Sequence, residues 1–355
     1  MIASEGRRVY SCQSVEPTGG YMLGTEGTSM PYARVISVIA ITTLLHTPTL
    51  AQPVSQWPDR PVRLLVPVGA GGAADTLSRN LSNGFAQFAN GQPLIVENRP
   101  GAGGTIAAAA MTREKPDGYT LFLAEVGPNA ISHKLTSKLP YDPHTAFTPI
   151  IHAANLPAVV LIRPTLPYKT LADFIAAAKQ QPGKFNYASA GIGNWTHLFM
   201  AYLNSQAGIE QVNVAYRSGA EMLTSLLKDE ADTAIITVST SLGQIREGKV
   251  RALAGISMQP MAQLADTPPV GRTIPGFDVK VWHGIVAPAG MDPALTTRIN
   301  TIFNQVLQVP AVRSAITETQ AADIVGGTPE QFDAFLKSEL QRWPEVVAAA
   351  GIKPE

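Results

Sequence analysis

The chain has 355 residues, with 27 Lys+Arg set against 27 Asp+Glu. A formal net charge of zero leaves no basic face for nucleic acid and no acidic solvating tail, so the partners to expect are small molecules. Hydrophobic residues make up 45% and charged residues 15%, enough for a packed globular protein of about two domains, and the 30 Gly and 28 Pro are spread along the chain as turns between many short elements.

Residues 1–51 read as an N-terminal extension and an export signal rather than as fold. Arg34 precedes an apolar run over 35–45, and Pro48-Thr49-Leu50-Ala51 supplies the small-residue cleavage pattern, so cleavage is expected after Ala51. The run is too short to span a bilayer. Residues 1–29 are polar and Gly-rich, which makes Met30 a second candidate start, and Arg7-Arg8 has no apolar segment close enough for a twin-arginine signal. Cleavage would also remove Cys12, the one cysteine, so neither an intrachain disulfide nor a cysteine zinc site is expected.

The next stretch organises the rest. In Pro61-Val62-Arg63-Leu64-Leu65-Val66-Pro67-Val68 a short apolar strand is expected over 62–67, Gly69-Ala70-Gly71-Gly72 is a glycine turn, and a helix opens near Ala74. Glycines between a buried strand and a helix leave the helix's first N–H groups open to an anion. A second copy follows: the strand 94–97 runs through Gly101-Ala102-Gly103-Gly104 into an alanine-rich helix around 107–111. Neither turn has the G-x-G-x-x-G spacing of a dinucleotide site. Two such turns in succession point to a site at the carboxyl ends of parallel strands.

Further strands are expected over 119–124, 158–162, 186–189, 212–215, 232–237, 251–256 and 281–287, and helices over 171–181, 195–207, 219–227, 293–309 and 329–350. The last helix has Thr328 as N-cap, Pro329 at its first position, Gln331 at the capping-box position and Gly351 beyond its end. Alternating strands and helices predict an α/β protein with largely parallel sheets. The apolar runs 158–162 and 281–287 each end at a proline. As two strands crossing between lobes they would give a discontinuous lobe one of 52–157 plus 288–355 around a lobe two of 158–287.

Catalysis has little support. Tyr187-Ala188-Ser189-Ala190-Gly191 lacks the first glycine of a nucleophile elbow, none of the six histidines forms H-E-x-x-H, and no cysteine nucleophile survives export. No metal, cofactor or enzymatic activity is expected.

Several motifs now line up in order: Trp57-Pro58-Asp59-Arg60-Pro61-Val62, Gly71-Gly72-x-x-Asp75, Glu97-Asn98-Arg99-Pro100-Gly101-Ala102-Gly103-Gly104, Pro116-Asp117-Gly118-Tyr119-Thr120-Leu121 and Leu139-Pro140-Tyr141-Asp142-Pro143. Tyr187-Ala188-Ser189-x-Gly191-x-Gly193-x-x-x-His197-Leu198, Gly248-Lys249-Val250-Arg251-Ala252-Leu253-Ala254, Trp282-His283-Gly284-Ile285-Val286-Ala287-Pro288-Ala289-Gly290 and the closing Trp343…Gly351-Ile352 continue the series. Over essentially the whole mature chain this resembles the extracytoplasmic solute receptors of tripartite tricarboxylate transporters, the Bug family. The resemblance implies a two-lobed, type II periplasmic binding fold of mixed, mostly parallel sheets flanked by helices. It further implies a periplasmic monomer that closes on a small carboxylate and delivers it to membrane permease subunits. A binding partner of a sensor kinase and an exported enzyme on the same fold are the other readings.

On the family's ligand-facing segments fall Val68, Gly71, Gly72, Ala73, Ala74, Asp75, Glu125, Asn129, Ser189, Gly191, Asn194, His197 and Asp232. Several depart from the family's pattern: Val68 stands for an aromatic, Ala74 for Ser or Thr, Asn194 for Ser, Ala215-Tyr216-Arg217-Ser218-Gly219 for a Pro-Tyr-Lys-Gly motif, and Glu125 for a small or hydroxyl residue. Asp75 either caps its loop or meets the ligand; His197 and Asp232 each have a structural and a cleft reading; Arg99 and Arg217 are candidate anion partners or solvated cations. Glu125 follows an apolar strand and so sits beside the first glycine loop. A carboxylate there disfavours a plain di- or tricarboxylate and predicts a ligand that also carries a cationic nitrogen, unless Glu125 turns away to a surface lysine such as Lys134.

Overall fold

The computed structural model describes residues 54–135, 138–256, 261, 263–277 and 279–349; the expected signal segment and Gly351 lie outside the described residues. The chain opens with β1 (Val62–Val66), α1 (Ala73–Phe85), β2 (Leu94–Asn98), α2 (Thr105–Met111), β3 (Thr120–Glu125), a short α3 (Ser132–Leu135) and β4 (Phe147–Leu156). Across Pro157 it passes into β5 (Ala158–Ile162), α4 (Leu171–Gln180), β6 (Phe185–Ser189), α5 (Trp195–Ala207), β7 (Gln211–Ala215), α6 (Gly219–Leu227), β8 (Thr233–Thr237), α7 (Val238–Arg246) and β9 (Arg251–Gly255). It ends with β10 (Val281–Pro288), α8 (Pro293–Gln308), α9 (Pro310–Ser314), β11 (Asp323–Gly326) and α10 (Pro329–Ala349).

The strands form two sheets, ordered β11-β4-β10-β3-β1-β2 and β7-β6-β8-β5-β9. β1 runs parallel to β2 and β3, and β6 parallel to β7 and β8, as the βαβ pattern predicts. The remaining pairs, which involve β4, β5, β9, β10 and β11, are antiparallel, so both sheets are mixed. Every residue of the central strands β3, β5, β8 and β10 is buried. That is why they read as unbroken apolar runs, whereas the edge strand β11 alternates exposed and half-buried positions.

Local sequence sets the helix starts. Thr170 and Asp173 form a reciprocal capping box on α4, and Asp292 accepts the Leu295 N–H at 3.0 Å ahead of Pro293 at the first position of α8. On α10, Thr328 N–H donates to Gln331 Oε1 at 2.9 Å and Gln331 N–H to Thr328 Oγ1 at 3.3 Å, the expected box.

One placement differs from expectation. The proline-ended apolar run predicts 281–287 in lobe two, but β10 lies between β3 and β4 in the first sheet, pairing with β4 from Val281 to Pro288 and with β3 from His283 to Val286. All eight of its positions are buried there, and the first sheet supplies strand partners on both sides.

Candidate functional site

The carboxyl ends of β1, β3, β6 and β8 face one small space. Val68, Gly72, Ala73 and Ala74 reach it from the β1–α1 loop, Glu125 from the end of β3, and Ala190, Asn194, Trp195 and Thr196 from the β6–α5 turn. Gly219 comes from the start of α6, Ile236, Thr237 and Thr240 from the β8–α7 junction, and His283 from β10. The space is about 30 Å³, room for about one water. No lysine or arginine lines it.

What surrounds it instead is a convergence of helix amino ends, those of α1, α5, α6 and α7. Asn194 caps α5 by accepting the Thr196 N–H at 3.1 Å, and Ser218 caps α6 by accepting that of Glu221 at 3.3 Å. The starts of α1, at Gly72, and α7, at Thr237, have no side-chain cap. Uncapped first-turn amides at the positive end of a helix dipole form an anion-binding surface without a full cation.

Glu125 and His283 form the opposite character. They are register partners on antiparallel β3 and β10, so their side chains project to the same face as direct cross-strand neighbours. Both are almost wholly buried, at 0% and 1% exposure. Glu125 Oε1 accepts from Asn194 Nδ2 at 2.8 Å, and Asn129 Oδ1 holds the Glu125 backbone N–H at 3.1 Å. Glu125 Oε2 lies 3.7 Å from His283 Nε2, and neither that oxygen nor either ring nitrogen of His283 has a hydrogen-bond partner. Glu125 therefore faces inward, and the alternative of a pairing with Lys134 is not what forms.

The other expected residues take varied places. Asp75 is turned into its own loop: its Oδ2 accepts from Gly71 N–H and Arg79 Nε, each at 3.0 Å. Burial pushes the Asp75 carboxyl up, but hydrogen bonds from Arg79, Gly71 and Asn98 outweigh it and hold it below the usual carboxylate range. His197 stacks on Tyr187 and accepts the Gly193 N–H at 3.5 Å through Nδ1, and burial lowers its pKa to about 4, so it is a neutral prop for the glycine loop. Ser189 is fully buried with its hydroxyl unpartnered, outside the lining of the space. Asp232 is a correction: it precedes β8, at the end opposite to Thr237, with its carboxylate held by Arg163 Nε at 2.7 Å and Asn186 N–H at 2.9 Å. The site takes the carboxyl end of that strand, and Asp232 is at the amino end. Arg99 pairs with Glu97 at 2.6 Å, away from the space.

Beside the small space, and sharing Ala190 with it, is a wider cleft of about 570 Å³ between the loops of the two sheets. Gly101, Ala102 and Lys138 line one side, and Gly191, Ile192 and Arg217 the other. Contacts bridge the loops beside it. Gly69 N–H donates to Arg217 O at 2.8 Å, and Gly103 packs so tightly that a Cβ there would lie 2.7 Å from Asn194 N. Its φ of +62° also favours glycine.

Sequence reasoning missed His283, Gly219, Thr237 and Thr240 as site residues. Each is distant in sequence from the glycine loops and is brought there by sheet order; His283 and Gly219 lie in stretches that resemble family motifs, whereas Thr237 and Thr240 do not.

Over residues 77–352 the chain matches the family model described as "Tripartite tricarboxylate transporter family receptor". The chain belongs to this family. The receptor is 31% identical over 328 residues to Protein BugT of Bordetella pertussis, covering 91% of this chain and 99% of that one. Its fold is similar to that of the periplasmic binding protein BugD, with a TM-score of 0.80, 29% identity and coverage of 84% of this chain and 100% of that one. The structure of Rpa4515 from R. palustris with adipate gives the same TM-score of 0.80 at 29% identity, covering 84% of the receptor and 100% of that chain. The family resemblance and the periplasmic binding fold expected from the sequence both hold. Among the described residues of the receptor no helix is long and apolar enough to cross a membrane.

Proposed function

We propose that this receptor captures a small carboxylate between its two sheets and delivers it to the permease subunits of a tripartite transporter. The observation that carries the reading is the convergence of four helix amino ends, two of them without side-chain caps, on one space that no cationic side chain lines. That arrangement suits a carboxylate held by amides, and a relative of similar fold was solved with adipate. Nothing in the site supplies an activated nucleophile, so the solute is released unchanged. The segments that hold the first sheet, up to 156 and again from 281, act as one lobe, and 158–255 as the other; separation of the loops across the cleft admits the solute. The protein works in the periplasm as a monomer, with residues 1–51 removed, so N-terminal sequencing of the exported chain should begin near Gln52.

The test is mass spectrometry of denatured protein purified from the periplasm, followed by calorimetry with what is found. A carboxylic acid at about one equivalent, recovered unaltered after incubation, is the expected result. Failure to retain or bind any small carboxylate would overturn the reading, and conversion of the bound acid would favour an exported enzyme.

A further inference from the structure

The space at the carboxyl ends of the strands has two chemically opposite walls. One carries the amino ends of α1 and α6, from Gly72 to Ala74 and at Gly219. The other carries Glu125 and His283, wholly buried, with Glu125 Oε2 and both His283 ring nitrogens lacking any hydrogen-bond partner. Buried polar atoms in folded proteins are almost always paired, so each exception calls for a reason. Here Glu125 Oε2 and His283 Nε2 are neighbours, 3.7 Å apart across the β3–β10 pairing, and both residues line the same space. Asn194 Nδ2, at 2.8 Å from Oε1, fixes the carboxylate from the side and leaves Oε2 turned to His283.

A second carboxylate placed against this wall would bring only further acceptor oxygens to the unpartnered Glu125 Oε2 in a desolvated site. A protonated amine brings the opposite. It carries several N–H donors, enough to reach Glu125 Oε2 and a ring nitrogen of His283 together. We propose that Glu125 and His283 form an ammonium subsite, and that the solute is an amino-carboxylate whose acid end lies at the helix amino ends. This rests on the reading of the space as a carboxylate site and names the class of carboxylate it takes.

The experiment is a calorimetric panel at neutral pH. It pairs the common α-amino acids and the unbranched ω-amino acids of three to six carbons with amine-free acids of the same skeleton, and adds the matching hydroxy acids. On the native protein at least one amino acid should bind ten-fold or more tighter than both its amine-free and its hydroxy counterparts. Glu125→Gln, which keeps the side-chain shape and a partner for Asn194, should erase that preference by weakening the amino acid and strengthening the amine-free acid. His283→Phe should narrow the same ratio. The native comparison needs no variant, so it decides even if a variant folds poorly. Amine-free acids binding as tightly as amino acids, or hydroxy acids binding more tightly, overturn the ammonium subsite while leaving the carboxylate reading intact. If no acid of any class binds, both fall together.

Discussion

Gly72 has φ −86° and ψ 174°, extended backbone that any residue adopts, and a Cβ there would rest 3.4 Å from Gly219 N. Gly72→Val should therefore fold normally while its side chain fills the space between the α1 and α6 starts. Affinity for the co-purified carboxylate should fall by at least about tenfold, about 1.4 kcal/mol. Arg99→Ala and Arg217→Ala should cost less, because Arg99 is tied to Glu97 and Arg217 lines only the wider cleft. Calorimetry on the three variants checks this, and the reverse order would return the anion to a cationic clamp. Gly103→Ala is a different case: the strained φ of +62° and the clash at Asn194 N act on the contact between the loops of the two sheets. It should shift the protein toward a more expanded form, read as a larger radius of gyration in X-ray scattering. At this scale the glycine loops and Glu125 were legible in the sequence because their signals are local, a glycine run or a carboxylate directly after an apolar strand. His283 and Thr240 carry no such signal, and Asp232 misled because a residue beside a strand does not reveal which end of the strand meets the site.

Between elements, one buried carboxylate ties α10 to β10 beside the ring contacts of Phe332 and Phe335 with Trp282. Glu339 Oε2 accepts from Trp282 Nε1 at 2.8 Å and from Trp343 Nε1 at 2.9 Å, with all three residues buried. Glu339→Ala strands two buried indole N–H groups and should destabilise the fold by about 3 kcal/mol, whereas Glu339→Gln keeps an acceptor and should cost about half as much. Urea unfolding of both variants measures the difference. The elements that sequence reading missed share a physical cause, weak local pattern rescued by tertiary pairing. β4 is interrupted by Pro149, His152 and Asn155, and its pairing with β10 is correspondingly irregular, with two register shifts. β11 is a four-residue edge strand. α7 opens on Val238-Ser239-Thr240-Ser241, poor helix formers, and Ser241 Oγ bonds back to Thr237 O at 3.1 Å. By contrast α5, α6 and β5 kept the boundaries their sequence patterns predict, because their caps and apolar runs agree with their packing.

For the molecule as a whole, two buried histidines set an acid limit. Burial pushes His152 down to about 4, against the hydrogen bond its Nε2–H donates to Asn155 Oδ1 and aided by nearby His283, and burial alone pushes His197 to about 4. Both folded values lie below the ordinary 6.5, so the unfolded chain binds more protons through that interval. Stability should be full above about pH 6.5 and fall as the pH drops toward about 4, by on the order of a few kcal/mol for the two together. Urea midpoints across that range should show the decline, and replacing both histidines by phenylalanine should flatten it. Asp75, held below its ordinary value, acts in the same direction only at lower pH, below the carboxylate range.

The position of β10 also orders events in time. β3 and β4 are made early in synthesis, yet they never pair with each other, because the strand that joins them is made only at residues 281–288. The second sheet draws all its strands from one continuous stretch, from Ala158 to Gly255, and can close as soon as that stretch emerges. The first sheet must wait with a gap at its centre until β10 arrives. On refolding of the complete chain the same order follows from loop closure, since β5 and β8 close a shorter loop than β3 and β10, so amides of β5 and β8 should gain exchange protection before those of β3.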